Sequence, residues 1–325
     1  MTETITYLDA IRRALVRALE NDPRVFLLGE DVGPYGGAFK LTEGLVERFG
    51  EDRIIDTPIV ETGLVGAAAG AAMAGMRPVV EMQFIDFISC AFNQLTNFVP
   101  TTHFRWGAAC PLVVRGPSGG GVHAGPFHSQ MVESFFLNTP GLKIFVPATV
   151  EDAYRGLLGA IEDPDPVLFL EQKRLYRTLK GEFDPGWDPL PLGSAAWRRS
   201  GDDVTVITYG AMLGHVLAAA ERAAEEGVET AVLDIRCLQP LDREAILEGA
   251  ARTGKVLIVH EDNITGGAGG ELSALIAEHA FDDLDAPIRR MGALDVPIPY
   301  AASLEDHSLP NPATIGEAIL ELADY

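Results

Sequence analysis

Cysteine is scarce: the 325 residues contain three, Cys90, Cys110 and Cys237, and no CxxC pair. That excludes a disulfide framework and a zinc site of CxxC spacing, and it fits a reducing compartment. Basic residues are also few. Lys and Arg number 25 against 47 Asp and Glu, leaving a net charge of −22. Such an excess argues against nonspecific binding to nucleic acid or to an anionic membrane. It suits either a basic protein partner or a merely solubilising surface. Long apolar runs are missing. The longest uncharged small-residue stretch, Gly63 to Met76, is too short and too rich in Ala and Gly to cross a bilayer. The opening MTETITYLDAIRRAL lacks the basic start and apolar core of a secretory signal. A soluble, cytoplasmic protein is the expectation. A phosphate-binding P-loop and an HExxH zinc motif are absent too. What is present is 47% hydrophobic content, enough for ordinary cores, in a length that suggests about two domains.

The pattern is a rhythm of short apolar strands and amphipathic helices. Thr6 is placed to cap a helix whose stripe is Leu8, Ile11, Leu15 and Leu19. Strands are expected at 25–28, 53–55, 79–84, 111–115, 143–146 and 167–170. Helices are expected at 42–49, from Glu61, at roughly 88–103, and after a cap at Thr149. Near-continuous apolar strands alternating with helices imply mainly parallel sheets covered on both faces, an α/β fold. The stretch KGEFDPGWDPLPLG is rich in Pro and Gly and reads as a linker. The expected division is 1–180, a linker at 181–193, and a second α/β domain at 194–325, in which the rhythm restarts.

Three places could carry chemistry. Glu61 stands at the mouth of the small-residue helix, where an unpaired carboxylate is costly to ionise. It also reads as an ordinary first-turn acid facing solvent. Gly66 and Gly70 share one face of that helix and would let another backbone approach. The loop GPSGGGVHAGPFHSQ presents His123 and His128 after a strand, suited to proton transfer or to a purely structural role. Its Gly119, Gly121 and Ala124 fit a dinucleotide-binding GxGxxA formally, but Pro126 follows, no helix opens there, and no acid ends a second strand at the required distance. Glu81 and Asp86 flank a strand and read as fold-determining rather than as an acid–base pair.

Seven segments in order make the chain recognisable: GEDVG (29–33), DTPIVE (56–61), RPVVEMQFIDF (77–87), GGGVHAGPFHSQ (119–130), PGLKIFVP (140–147), EQKRLYR (171–177) and HEDNITGGAGGE (260–271). Over essentially its whole length the chain resembles the β subunit of a thiamine-diphosphate-dependent 2-oxo acid dehydrogenase, the decarboxylating component. The resemblance implies an N-terminal pyrimidine-binding domain and a transketolase C-terminal-like domain, both α/β. It implies an oxidoreductase that decarboxylates a 2-oxo acid and passes the acyl group to a lipoyl carrier. QFIDF, HSQ and KRLYR look closest to branched-chain members; pyruvate and acetoin dehydrogenases are the alternatives, and a non-catalytic scaffold subunit is another.

By the same resemblance Glu61 bonds a ring nitrogen of the cofactor's aminopyrimidine, Phe87 stacks on that ring, and Ile59, Val60 and Gln83 are neighbouring contacts. His128 matches the active-site histidine that assists the lipoyl group. Glu30, Phe84, Ile85 and Asp86, with Phe87 and His128, match positions near substrate. No GDG occurs, so Mg²⁺ and the diphosphate should be held by an α subunit, in a heterotetramer of two α and two β chains. A K⁺ held in some relatives matches Leu112, Val113, Ala160, Asp163 and Asp165. The acidic charge suits the basic subunit-binding domain of a dihydrolipoyl acyltransferase.

Overall fold

A computed structural model describes residues 3–325. The chain divides into two compact units: one formed by residues up to Ser118 with Phe135–Leu192, the other by Gly119–Ser134 with Gly193–Tyr325.

The first unit begins with β1 (Glu3–Thr6) and α1 (Tyr7–Asn21). The Thr6 hydroxyl accepts from the Asp9 amide at 3.1 Å, and the Asp9 carboxylate accepts in return from the Thr6 amide. This capping box satisfies two N–H groups that a helix start leaves open. Leu8, Ile11, Leu15 and Leu19 are buried, as their spacing requires. Next come β2 (Val25–Gly29), α2 (Leu45–Phe49), β3 (Ile54–Asp56), α3 (Glu61–Met73) and β4 (Arg77–Glu81). They are followed by α4 (Thr102–Trp106), β5 (Val113–Ser118), β6 (Lys143–Phe145), α5 (Val150–Glu162), β7 (Val167–Gln172), α6 (Leu175–Thr178) and β8 (Lys180–Phe183). Six strands run parallel in the order β6-β7-β5-β4-β2-β3. Thr149 caps α5 by accepting from the Asp152 amide. Strands β2, β5 and β7 are buried along their whole length, as a sheet covered on both faces demands, including the polar ends of β5 and β7.

Two local expectations fail. The helix expected over 88–103 is broken into a 3₁₀ segment (Ile85–Ala91), a π segment (Gln94–Phe98) and α4. The hydroxyls of Thr96, Thr101 and Thr102 each donate to the carbonyl four residues back, at 2.8–3.1 Å, and so compete with the regular amide ladder. The start of the Pro- and Gly-rich stretch is a strand, not a free linker: β8 pairs antiparallel with β1.

The second unit contains β9 (Ala196–Arg199), β10 (Val204–Thr208), α7 (Met212–Glu225), β11 (Thr230–Asp234), β12 (Cys237–Gln239) and α8 (Arg243–Thr253). It continues with β13 (Val256–Asn263), α9 (Ala268–His279), β14 (Arg289–Ala293), α10 (Ala302–Ser308) and α11 (Pro312–Ala323). Its sheet has the order β14-β13-β10-β11-β9, parallel except at the β9 edge. His260 on β13 is wholly buried, and burial pulls its pKa down to about 4, so the ring is neutral. A Cβ at Gly267 or Gly269 would stand 2.6–2.7 Å from that ring. The second glycine cluster therefore exists to seat an imidazole, not a nucleotide.

Candidate active site

Within the first unit, the candidate site lies past the C-terminal ends of β2, β3 and β4, where open parallel sheets present their ligand-binding loops. The loops after β2 and β3 are tied together: the Thr57 amide donates to the Gly29 carbonyl at 2.9 Å, and the Gly33 amide to Asp56 Oδ1 at 3.0 Å. Glu30 follows Gly29 directly and is only 8% exposed. The Val60 amide donates to its carboxyl. Its Oε1 finds no hydrogen-bond partner among the described residues. Burial pushes the Glu30 carboxyl above the usual range, and the nearby Glu61 pushes it further. Glu61 is the first residue of α3, near enough for its charge to act on Glu30.

Around this pair the apolar side chains are bare. Ile59 is 78% exposed, Val60 46% and Phe87 37%. Gln83 is oriented by donating from Nε2 to Asp31 at 2.9 Å. Phe84 packs edge-on to Phe39, with ring centres 5.6 Å apart, while Ile85 and Asp86 are buried. Helix α3 buries Leu64, Val65, Ala68, Ala69 and Ala72. Its other face is uncovered in this chain: a Cβ added at Gly66 or Gly70 would meet nothing within 4 Å.

A second set of acids in this unit is built differently. Arg115 on β5 is 1% exposed and lies between Glu81 on β4 and Glu171 on β7, bonded to both. Tyr176 also donates to Glu171, at 2.6 Å. Burial lifts Glu81 above the usual carboxylate range, and Arg115 pulls it part of the way back. Ser118, which sits in a formal G-x-S-x-G at 116–120, is wholly buried and donates to the Glu171 carbonyl at 3.0 Å. It is not presented as a nucleophile.

The positions considered for K⁺ lie at the end of α5 and the start of β5. Leu112, Val113 and Ala160 are buried. Lys143 Nζ donates to both Asp163 oxygens at 2.7 Å and lies 3.5 Å from Asp165, which also contacts His103. The Leu112 carbonyl accepts from the Val167 amide. The chain's own ammonium thus occupies the acidic donors. No group of three or more His, Cys, Asp or Glu suited to a metal occurs among the described residues. Nearby Cys110 has its thiol pushed up to about 11, by burial first and by Asp165 second.

His128 belongs to the second unit, apart from the other site positions, because its loop (119–134) is compacted with the C-terminal residues. The loop is closed by the Gly119 amide donating to the Gln130 carbonyl at 3.0 Å and the His128 amide to the Gly125 carbonyl at 3.2 Å. The same unit buries four acids, Glu133 at the end of the loop itself and Glu261, Asp262 and Glu305 from the C-terminal residues. Sequence reasoning missed this acidic group. Its members come from three separated stretches of chain, and no local period links them.

Comparison with known proteins identifies the fold and the family. The model of the transketolase pyrimidine-binding domain matches residues 3–178, and that of the transketolase C-terminal domain residues 193–315. A solved split-gene transketolase chain, described as an inactive β4 tetramer, superposes with a TM-score of 0.81 at 23% identity, covering 98% of this chain and 99% of that one. The class is therefore the transketolase-like, thiamine-diphosphate-dependent α/β proteins. Within it, the 2-oxoisovalerate dehydrogenase β subunit of Bacillus subtilis is 49% identical over 99% of both chains. A mitochondrial pyruvate dehydrogenase E1 β subunit of Arabidopsis thaliana is 41% identical over 94% of this chain and 86% of its own. The acetoin:2,6-dichlorophenolindophenol oxidoreductase β subunit of B. subtilis is 40% identical over 99% and 98%. The chain belongs to the family of 2-oxo acid dehydrogenase E1 β subunits, as its seven segments implied. No described helix is long and apolar enough to cross a membrane.

Proposed function

We propose that this chain is the β half of a decarboxylating enzyme for a branched-chain 2-oxo acid, working with an α subunit as an α₂β₂ heterotetramer in the cytoplasm. The observation that carries the reading is the buried Glu30 carboxyl beside the mouth of α3, which burial first and the charge of Glu61 second push towards its protonated form. The orphaned Glu30 oxygen and the bare Ile59, Val60 and Phe87 suit a flat, nitrogen-bearing ring such as an aminopyrimidine. Bound thiamine diphosphate would supply the nucleophilic carbon and the electron sink for decarboxylation. Glu61 would hold a proton against a ring nitrogen, with Glu30 behind it. Phe87 would stack, Ile59 and Val60 would exclude water, and Gln83, steadied by Asp31, would orient polar atoms. Phe84, Ile85 and Asp86 would border the substrate.

His128 would give a proton to a lipoyl sulfur during acyl transfer. With no GDG in the chain, Mg²⁺ and diphosphate fall to the α subunit. A K⁺ could use only the Leu112, Val113 and Ala160 carbonyls without displacing Lys143 from Asp163. The net charge of −22 favours a basic docking domain on the acyltransferase.

The test is substrate-dependent reduction of an artificial electron acceptor by the α₂β₂ complex, with 2-oxoisovalerate, pyruvate and acetoin side by side. A preference for 2-oxoisovalerate is expected, in keeping with the 49% identical relative. One or two methylenes are worth only about 1–3 kcal/mol in such a pocket, so a preference for pyruvate or acetoin would reassign the substrate alone. Glu61→Ala should lower turnover by about 10²–10⁴-fold with assembly intact. Unchanged turnover would make the subunit a scaffold.

A further inference from the structure

The histidine loop is gripped by two buried carboxylates. Glu305 on α10 is wholly buried, and its Oε1 accepts from the Gly121 amide at 2.9 Å. Its Oε2 accepts from the His123 amide at 2.9 Å and pairs with His123 Nδ1. Glu261 on β13 is 6% exposed and accepts from the Gly120 amide through Oε1. Three backbone amides within four residues thus converge on two internal anions, an arrangement that elsewhere binds a ligand anion. The grip holds His123 at φ +59°, a conformation non-glycine residues seldom adopt. The segment carrying Glu305 makes a second hold. Tyr300 lies over Gly125, where any Cβ would stand 2.2 Å from the ring. From Gly125 the fold passes directly to His128, whose amide donates to the Gly125 carbonyl.

We propose that Glu305, assisted by Glu261, is a positioning residue for His128, setting the loop for the acyl-transfer step and not for decarboxylation. This rests on the role given to His128 above. Charge-assisted bonds of this kind are short and strong, and two buried carboxylates would be a liability without the amides they receive. Burial of Glu305 beneath an exposed loop therefore calls for a reason beyond stability. Holding a histidine at a fixed height supplies one, since small misplacements of a proton donor are costly in rate.

The experiment uses the α₂β₂ complex and Glu305→Gln. Gln keeps one acceptor oxygen for the Gly121 amide, but its NH₂ group cannot accept from His123. Hydrogen exchange of the peptide spanning 119–130 should quicken by about tenfold or more, with other peptides unchanged. Reductive acylation of a free lipoyl domain should fall in kcat by about tenfold, while decarboxylation read with an artificial electron acceptor changes by less than about threefold. Unchanged loop exchange, or equal falls in both partial reactions, would overturn the proposal. His123→Leu leaves Glu305 intact and should quicken the same peptide by about threefold. If Glu305→Gln fails to fold, unchanged exchange in His123→Leu overturns the grip. If the wild-type complex turns over no 2-oxo acid, the functional reading fails and loop exchange alone decides whether the grip exists.

Discussion

The first unit holds two sets of carboxyls near the same ends of one sheet, and they are compensated in opposite ways. Glu81 and Glu171 share the buried guanidinium of Arg115 and the Tyr176 hydroxyl. Glu30 has no such cation: beyond burial, the charges acting on it, those of Glu61 and Asp31, are both negative. The first set fixes three neighbouring strands, since β4, β5 and β7 each contribute one member. The second set leaves one oxygen without a partner and borders exposed apolar side chains. A buried charge with its partner is architecture. An acid pair without one costs stability and is kept where a proton must be held.

Removing the cation from the compensated set should have the largest effect. Arg115→Met leaves two buried carboxylates facing each other and should destabilise the chain by about 3–5 kcal/mol in chemical denaturation. A loss below about 1 kcal/mol would mean that the sheet, not the ion pairs, orders these strands. An intermediate effect is expected where compensation is partial. Lys143→Met should cost about 1 kcal/mol, because the Lys143–Asp163 pair is only partly buried. It should also create a stabilisation by K⁺ over Na⁺ that the wild type lacks. Equal sensitivity of both proteins to K⁺ would show that Lys143 does not occupy the cation position.

The smallest effect lies in the uncompensated pair. The folded state raises the Glu30 pKa above its ordinary 4.5, so it binds the proton more tightly than the unfolded chain does. This contribution is complete below pH 4.5 and is lost as pH rises through the folded value. Glu30→Gln removes the loss. Its melting temperature should exceed that of the wild type at pH 7, with the gain shrinking as pH falls through the raised folded value towards 4.5 and absent below it. A variant less stable than wild type at pH 7 would mean that Glu30 has a compensating partner after all.

Much of the layout was legible because it is periodic or locally capped. The α1 stripe, the Thr6 and Thr149 caps and the buried parallel strands follow from spacing and side-chain chemistry within a few residues. Glu61, Phe87 and His128 were singled out as candidates through their motifs, yet no pattern revealed that the charge of Glu61 acts on Glu30, or that His128 belongs with the C-terminal residues. Those are interactions across β2–β3 and across more than a hundred residues of chain. The broken helix after Phe84 was illegible for a related reason: its threonines bond back to carbonyls only once packing has bent the segment.

The sequence by itself determined the α/β rhythm, the charge excess and the identity of the chemical groups, because each is a local property. Only the tertiary structure decided which acids meet a buried cation and which are buried without one. That depends on which strand ends are neighbours, since burial and charge act through space and not along the chain.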